Sequence, residues 1–375
     1  MSAPAQPAPA ATGPAKFDPE TMIGRVIAER YELQRLLGEG GMGAVFVALH
    51  RNLNKQVAFK IIRPEFAEEK LFAERFRREA RTTAQLEHPH IVSALDYDLL
   101  PEGGAYLVLQ LAPGESLFDF IIRSGALTWQ QTCTIGAQIA DALQAAHAMG
   151  IVHRDLKPDN VLVQHKSDGR LHARVLDFGL VGIVAPEPLD ARGVTVIELT
   201  RQGAILGTPG YMAPEQVAGR RADERADLYS LGVMMWECLQ GKSLWRADTF
   251  TDLFTMQFQE TPEFITTNRH GPVPTELAKL IEQLLSREAG SRPPDADTVR
   301  QALDALARRE GDAPDTSAPN RSVSAKSSSP AIEQRPTSVR AQLEEDPTAR
   351  KAVLALGAGS LAVIVLAILI KLISG

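Results

Sequence analysis

Within eight residues, His153-Arg154-Asp155-Leu156-Lys157-Pro158-Asp159-Asn160 sets a carboxylate, an ammonium and an amide at fixed offsets. Those types suit phosphoryl transfer. Asp155 can orient a hydroxyl and accept its proton, Lys157 can neutralise a phosphoryl oxygen, and Asn160 can ligate a metal. A second acid follows 17 residues later in Asp177-Phe178-Gly179, a tripeptide that alone says little more than a turn. A third feature lies far upstream, the glycine-rich run Gly38-Glu39-Gly40-Gly41-Met42-Gly43.

These residues need elements to hold them. Tyr31–Leu37 and Ala44–Leu49 read as strands on either side of the glycines, and Val57–Lys60 as a third. In a dinucleotide-binding βαβ unit the last glycine opens a helix. Here it opens the strand-like run Ala44-Val45-Phe46-Val47. A glycine turn between strands lets backbone N–H groups approach phosphates without a Cβ in the way. Ala67–Leu86 reads as a charged helix, and Ile91–Leu95, Tyr106–Leu111 and Ala173–Leu176 as strands. Later segments are helical: Leu117–Ser124, Thr128–Met149, Ala226–Gln240 and Glu276–Leu285. Strands first and helices after predict an α+β chain.

In this order, the glycine run, Lys60 on the next strand, Glu79 in the charged helix, the 153–160 string, Asp177-Phe178-Gly179 and Ala213-Pro214-Glu215 resemble the eukaryotic-type protein kinases, over about 280 residues. The style of Leu37–Ala48 and Gly207–Glu215, with one apolar span near the C-terminus, is similar to the bacterial (Hanks-type) serine/threonine kinases. The resemblance implies a two-lobed kinase fold with the site in the cleft, ATP and Mg²⁺ as cofactors, and protein substrates. Lys60 would orient the α- and β-phosphates with Glu79 as its partner, Glu74 being the competitor. Asp155 and Lys157 would be catalytic, and Asn160 and Asp177 would hold the metal. Gly38, Gly40 and Gly43 would cover the phosphates. Leu37, Val45, Ala58 and Leu162 would sandwich the base. Leu109 would guard the back of the nucleotide site, with Gln110, Leu111 and Ala112 as the connection between lobes. Kinases often carry an acid where Gln110 stands, but the contacts there are main-chain. Glu215 would pair with Arg292, and Asp227 would brace the catalytic loop backbone.

The resemblance also implies regulation. Residues 180–206 would form the activation segment, with autophosphorylation at Thr200 first and Thr195 second, their phosphate facing Arg154. Thr208, in Gly207-Thr208-Pro209, would align the acceptor. Lys157 and Thr208 favour Ser/Thr over Tyr acceptors. A membrane-anchored pseudokinase scaffold is the alternative, and a small-molecule phosphotransferase of related fold a further rival that would lack the Gly207–Glu215 docking region.

Bulk properties bound the remainder. The net charge of -6 offers no basic footprint for nucleic acid. Two cysteines, Cys133 and Cys238, sit in helical runs and read as buried free thiols, which suits a reducing compartment. The histidines show no metal-ligand spacing. The Ala/Pro-rich residues 1–22 read as a disordered arm without a secretory signal, and 31–309 as the folded domain. Residues 310–350 read as a flexible linker with a span of about 35 Å.

Ala352–Ile370 carries no charge and would extend about 28 Å as a helix, so 352–373 is expected to cross a membrane once. Arg340, Arg350 and Lys351 precede it against Lys371 beyond, which puts the folded domain on the cytoplasmic side. Only Lys371–Gly375 follow, so no sensor domain of its own is expected beyond the span. Ala355 and Gly359, like Ala358 and Ala362, stand four apart, a spacing that allows close helix contact and a homodimer.

Overall fold

The computed structural model describes residues 17–178 and 209–308, apart from 41, 68–71, 102, 221 and 248. Thr195, Thr200, Thr208, the whole 180–206 segment, the linker 310–350 and the expected span 352–373 therefore lie outside the described residues. Among the described residues no helix is long and apolar enough to cross a membrane.

The chain divides into two units. The first takes its described residues from Met1–Lys70 and Leu95–Leu111, the second from Leu71–Ala94 and Ala112–Gly375.

The first unit is one antiparallel sheet, β1 (Val26–Ile27), β2 (Tyr31–Gly40), β3 (Gly43–His50), β4 (Lys55–Ile62), β5 (Ala94–Leu99) and β6 (Ala105–Gln110), in the order β1-β2-β3-β4-β6-β5. Alternation along β4 sends Val57, Phe59 and Ile61 into the core and leaves Ala58 and Lys60 on the opposite face. Phe46, Phe59 and Val108, all fully buried, meet there, with Phe59 stacked on Tyr106 at 5.0 Å between ring centres. Tyr31 turns its hydroxyl to Asp96 at 2.7 Å.

Three expectations change here. The strand expected at Ile91–Leu95 starts at Ala94, because Ile91 instead bridges to Val175 and is buried against the second unit's core. The glycine run is mostly strand: β2 continues to Gly40, which pairs with Gly43, and Met42 lies in a turn between them. Register shifts at Leu33/Arg35 and Leu36/Gly38 bend it on the way. Residues 17–22 of the stretch expected as an arm are structured, since Asp18 caps a 3₁₀ turn at Pro19–Met22 and Met22 is buried in the first unit's core.

The second unit is mainly helical. Its longer helices are α1 (Phe72–Ala84), α2 (Leu117–Ser124), α3 (Trp129–His147), α4 (Arg225–Gln240), α5 (Phe250–Gln259), α6 (Thr275–Leu284) and α7 (Ala296–Arg308). Helix α1 ends at Ala84, short of the expected Leu86, while α2 has the expected bounds. Thr128 and Gln131 close a capping box that starts α3. Helix α4 is apolar nearly all round and buried along its length, as a central core helix must be. Its polar members are satisfied inside: Glu237 accepts from the Tyr211 hydroxyl at 2.8 Å, and Ser230 donates to the Tyr211 carbonyl at 2.7 Å. Cys133 and Cys238 are buried free thiols, and burial pushes the Cys133 thiol up to about 12. Helices α5 and α7 were not anticipated. The α7 stretch is polar on one side and buries only Ala296, Val299, Leu303 and Leu306.

Candidate active site

A hairpin brings the two residues expected to hold a metal to one end. Strand β8 (Val161–His165) pairs with β9 (Leu171–Val175) so that Val161 faces Val175. The residues flanking that last pair are Asn160 and Leu176, and the Leu176 N–H donates to the Asn160 carbonyl at 2.8 Å. Asn160 and Asp177, well separated in sequence, therefore emerge at one end of one hairpin. Val161 and Val163 point into the core, while Leu162 lies on the other face of β8, partly exposed.

Before β8, a 3₁₀ turn at Pro158–Asn160 folds the loop back on itself. The Lys157 ammonium donates to Asp155 Oδ2 at 2.9 Å. Asn160 Nδ2 donates to the Asp155 carbonyl at 2.8 Å and lies 3.4 Å from Oδ2. The amide nitrogen is thus engaged toward Asp155, and the amide oxygen is the atom left for a cation. Asp155, Lys157 and Asn160, read as one set in the sequence, do share one set of contacts.

Beneath the loop sits Asp227, fully buried at the start of α4. It accepts from the backbone N–H of His153 at 2.8 Å and of Arg154 at 2.9 Å, the bracing role expected of it. His147 on α3 adds its Nε2 at 2.8 Å. Burial pushes the Asp227 carboxyl up, but His147 and the His153 N–H outweigh it and hold the group below the ordinary carboxylate range. With Asp227 holding its N–H, Arg154 takes a left-handed backbone, φ 67°. Asp177 does so too, φ 60°, and for residues with a Cβ such strain gathers at functional sites.

His153 connects the two strained positions, a part the sequence reading missed. It is fully buried, accepts from the Asp155 N–H at Nδ1 (3.3 Å) and donates from Nε2 to the Leu176 carbonyl at 2.8 Å. Its ring packs edge-on against Phe178 at 4.8 Å, and the Thr83 hydroxyl donates to the Phe178 carbonyl. Gln216 also went unread: its Nε2 donates to the Arg154 carbonyl at 3.1 Å. His147 meets Asp227 across 80 positions, so no local pattern could have exposed that contact.

Glu215 and Arg292 form the expected pair. It is bidentate, Nη1 to Oε1 at 2.7 Å and Nη2 to Oε2 at 2.8 Å, with the Arg292 side chain wholly buried. On α1, Glu79 accepts from the neighbouring Arg78 at 2.9 Å and is partly buried, whereas its competitor Glu74 is exposed.

In the first unit, the register gathers the other expected residues on one face. Val45 stands opposite Lys60 and Lys60 opposite Leu107; Val47 stands opposite Ala58 and Ala58 opposite Leu109. Directly opposed residues share a face, so Val45, Ala58, Lys60 and Leu109 line the side away from the first unit's core. Gln110 ends β6 and Leu37 is 44% exposed in the bulged part of β2. Ala112 is partly buried in the stretch before the two-residue strand β7 (Glu115–Ser116), which pairs with β8.

The glycines divide by what surrounds them. A Cβ on Gly43 would lie 1.8 Å from the Ile61 carbonyl oxygen, so this glycine serves the sheet itself. Around Gly38 and Gly40 a Cβ would meet nothing within 4 Å.

A metal has a fitting donor set. Among the described residues no cluster of three or more His, Cys, Asp or Glu could hold one. Mg²⁺, however, is held by one or two protein oxygens together with substrate phosphates. The Asn160 amide oxygen and the Asp177 carboxylate are oxygens of that kind.

Comparison with known proteins gives consistent matches. The protein kinase domain model matches residues 31–304. A serine/threonine-protein kinase of Myxococcus xanthus, pkn3, is 33% identical over 310 residues, covering 82% of this chain and 56% of that one. The serine/threonine-protein kinase PknA of Mycobacterium tuberculosis is 36% identical over 267 residues, 70% of this chain and 57% of its own. The chain thus spans about half the length of these curated relatives. The crystal structure of the Mycobacterium tuberculosis PknI kinase domain superposes with a TM-score of 0.56 at 23% identity, covering 77% of this chain and 98% of that domain. That likeness speaks for the two-lobed kinase fold.

Proposed function

We infer the activity from one premise: this chain belongs to the protein kinase domain family. The chain is a serine/threonine protein kinase that transfers the γ-phosphate of ATP to hydroxyls of protein substrates. One observation carries the reading. The Asp155 carboxylate, the Lys157 ammonium and the Asn160 amide meet in a loop whose backbone is pinned by a buried carboxylate.

The residues divide the work. Asp155 orients the acceptor hydroxyl and takes its proton as the bond to phosphorus forms and the bond to the leaving phosphate oxygen breaks. Lys157 offsets charge on the transferred group. Asn160 and Asp177 are the proposed metal ligands, and Mg²⁺ when bound neutralises charge on the phosphate oxygens. Lys60 is proposed to orient the α- and β-phosphates with Glu79 as its partner. Leu37, Val45, Ala58 and Leu162 are proposed around the base, and Gln110 and Ala112 for its main-chain contacts. Positioning and electrostatics supply the rate, since little covalent work falls to the protein.

Full-length chain incubated with γ-labelled ATP and Mg²⁺ should place label on Ser and Thr of itself and of an added protein, and Asp155→Asn should abolish it. Mass spectrometry of the product should place phosphate on Thr200 first and Thr195 second, with Arg154 as the phosphate's partner and Thr208 left to acceptor alignment. Unlabelled wild type would favour the scaffold reading.

The glycines offer a cleaner test of nucleotide contact. Space around Gly38 and Gly40 means that an Ala side chain does not disturb the fold. Gly38→Ala and Gly40→Ala should keep the melting temperature within about 2 °C while raising KM for ATP several-fold. Unchanged KM would remove the phosphates from that hairpin.

Residues 352–373 are proposed to anchor the chain as a single span, with the kinase domain cytoplasmic, and small-residue contacts in the span to favour a dimer. The support is the apolar run Ala352–Ile370 and the flanking Arg340, Arg350 and Lys351. Protease added to intact expressing cells should spare the kinase domain, and deletion of 352–375 should move the enzyme to the soluble fraction. Digestion in the first case, or membrane retention in the second, would overturn the anchor.

A further inference from the structure

The second unit holds a cavity that phosphate transfer does not use. It measures about 480 Å³ and lies among residues of α4, α5, α6 and the segments that follow each of them. That volume falls within the range of natural ligand sites, roughly 300–1,000 Å³. Its walls are aromatic and apolar: Trp236 and Trp245, 4% and 6% exposed, with Tyr229 and Ile265. Its rim is acidic. Glu260, Glu263, Glu282 and Glu288 are all exposed along it, and Arg287 is the one cationic side chain among the lining residues.

Three cations of this unit already have partners, one of them the cavity's own Trp236. Arg287 donates to the Glu260 carbonyl at 2.7 Å, Arg292 is held by Glu215, and Lys242 stands 5.6 Å from the Trp236 ring centre.

Two wall residues carry buried polar atoms without an ordinary hydrogen bond. The Gln257 amide oxygen is one, in a residue 2% exposed. The Trp245 indole N–H is the other; it sits beside the Tyr229 hydroxyl but outside hydrogen-bond geometry. Buried polar atoms are rarely left so in folded proteins, and a bound partner is one cause. The other end of the Gln257 amide is engaged. Its nitrogen donates to the Pro209 carbonyl at 3.0 Å and lies 3.5 Å from that of Met212. The cavity wall is thereby tied to the 209–212 segment, which the sequence reading assigns to acceptor docking.

We propose that this cavity docks a peptide segment of the protein substrate, one carrying an arginine or lysine beside a bulky apolar side chain. The inference rests on the protein kinase reading. Four carboxylates against one guanidinium select a cation, and indole faces accept both a cation and an apolar chain. The free Gln257 oxygen takes an N–H donor. The tie to Pro209 places such a segment next to the acceptor rather than at an unrelated metabolite site.

The probe is the acetylated peptide Ala-Leu-Arg-Leu-Arg-Leu-Ala, titrated into full-length Asp155→Asn protein while tryptophan fluorescence is read. A saturable change is expected. The surface double variant Glu263→Lys/Glu282→Lys should weaken it at least tenfold, and a peptide with glutamates in place of the arginines should give none. In active enzyme, joining this segment to a short acceptor peptide should lower its KM at least tenfold. The gain should vanish in the double variant, with turnover of the unextended acceptor unchanged. Equal binding by wild type and double variant, or no saturable change, would overturn the proposal. So would a signal saturated by spermidine but not by the peptide, which would make the cavity a small-amine site. The titration needs no phosphate transfer, so an inert wild type would defeat the kinase reading while leaving docking measurable.

Discussion

Asp155→Asn is expected to lower kcat by about 10²–10⁴-fold, the range supplied by a positioned general base, with KM for ATP little changed. The substitution keeps the shape of the side chain and one oxygen, so the Lys157 contact at Oδ2 is weakened rather than deleted. The Asp155 carbonyl still receives Asn160 Nδ2, and Asp227 still holds the loop from below. What disappears is an atom able to take the hydroxyl proton. Lys60→Met and Asp177→Asn should each cause a comparable loss. Double variants should lose little beyond the single ones, because residues that act as a unit are not additive. Steady-state rates with labelled ATP decide the matter. Asp155→Asn within a factor of three of wild type would take the base role from Asp155, and additive losses would mean the three residues act separately.

The site was legible to the extent that its parts are local. Asp155, Lys157 and Asn160 lie within one turn and a loop, so their order in the chain already sets their contacts. Val45, Ala58 and Lys60 are named by the resemblance alone, and period-two alternation in two neighbouring strands is what sets them on one face. What stayed hidden depends on long-range geometry. The sequence places His153 inside the chemical string, yet nothing there says that its ring reaches the Leu176 carbonyl. Strand β5 was misplaced because Ile91 and Val92 are as apolar as a strand interior, while the buried surface they meet belongs to β9. The cavity beside Trp245 is assembled from three helices and three connections, each ordinary by itself. Glycine gave the opposite lesson. Gly38, Gly40 and Gly43 look alike in the sequence, but only Gly43 is required by a neighbouring backbone.

Arg292→Ala is expected to destabilise the folded chain by about 3–5 kcal/mol, the cost of removing one partner from a buried ion pair. The guanidinium makes two bonds to Glu215 and further ones to the carbonyls of Arg225 at 2.8 Å, Ser286 at 2.9 Å and Arg287 at 3.2 Å, while stacking over Tyr229 at 5.1 Å. Five hydrogen bonds and one stacking contact therefore depend on one planar fork. Lysine cannot reproduce it, so Arg292→Lys should cost nearly as much as alanine. Glu215→Gln keeps one acceptor oxygen for the guanidinium, and it should cost less. The double variant Glu215→Leu/Arg292→Met removes both charges, but it still strands the three carbonyls. It should recover part of the loss and remain below wild type. Urea unfolding of the full-length chain, followed by circular dichroism, measures all four. A loss under about 1 kcal/mol for Arg292→Ala would place this pair with exposed ion pairs, and would mean that water reaches the guanidinium site in solution. The predicted order, alanine and lysine lowest, the double variant between, glutamine highest, separates the carbonyl contacts from the ion pair itself.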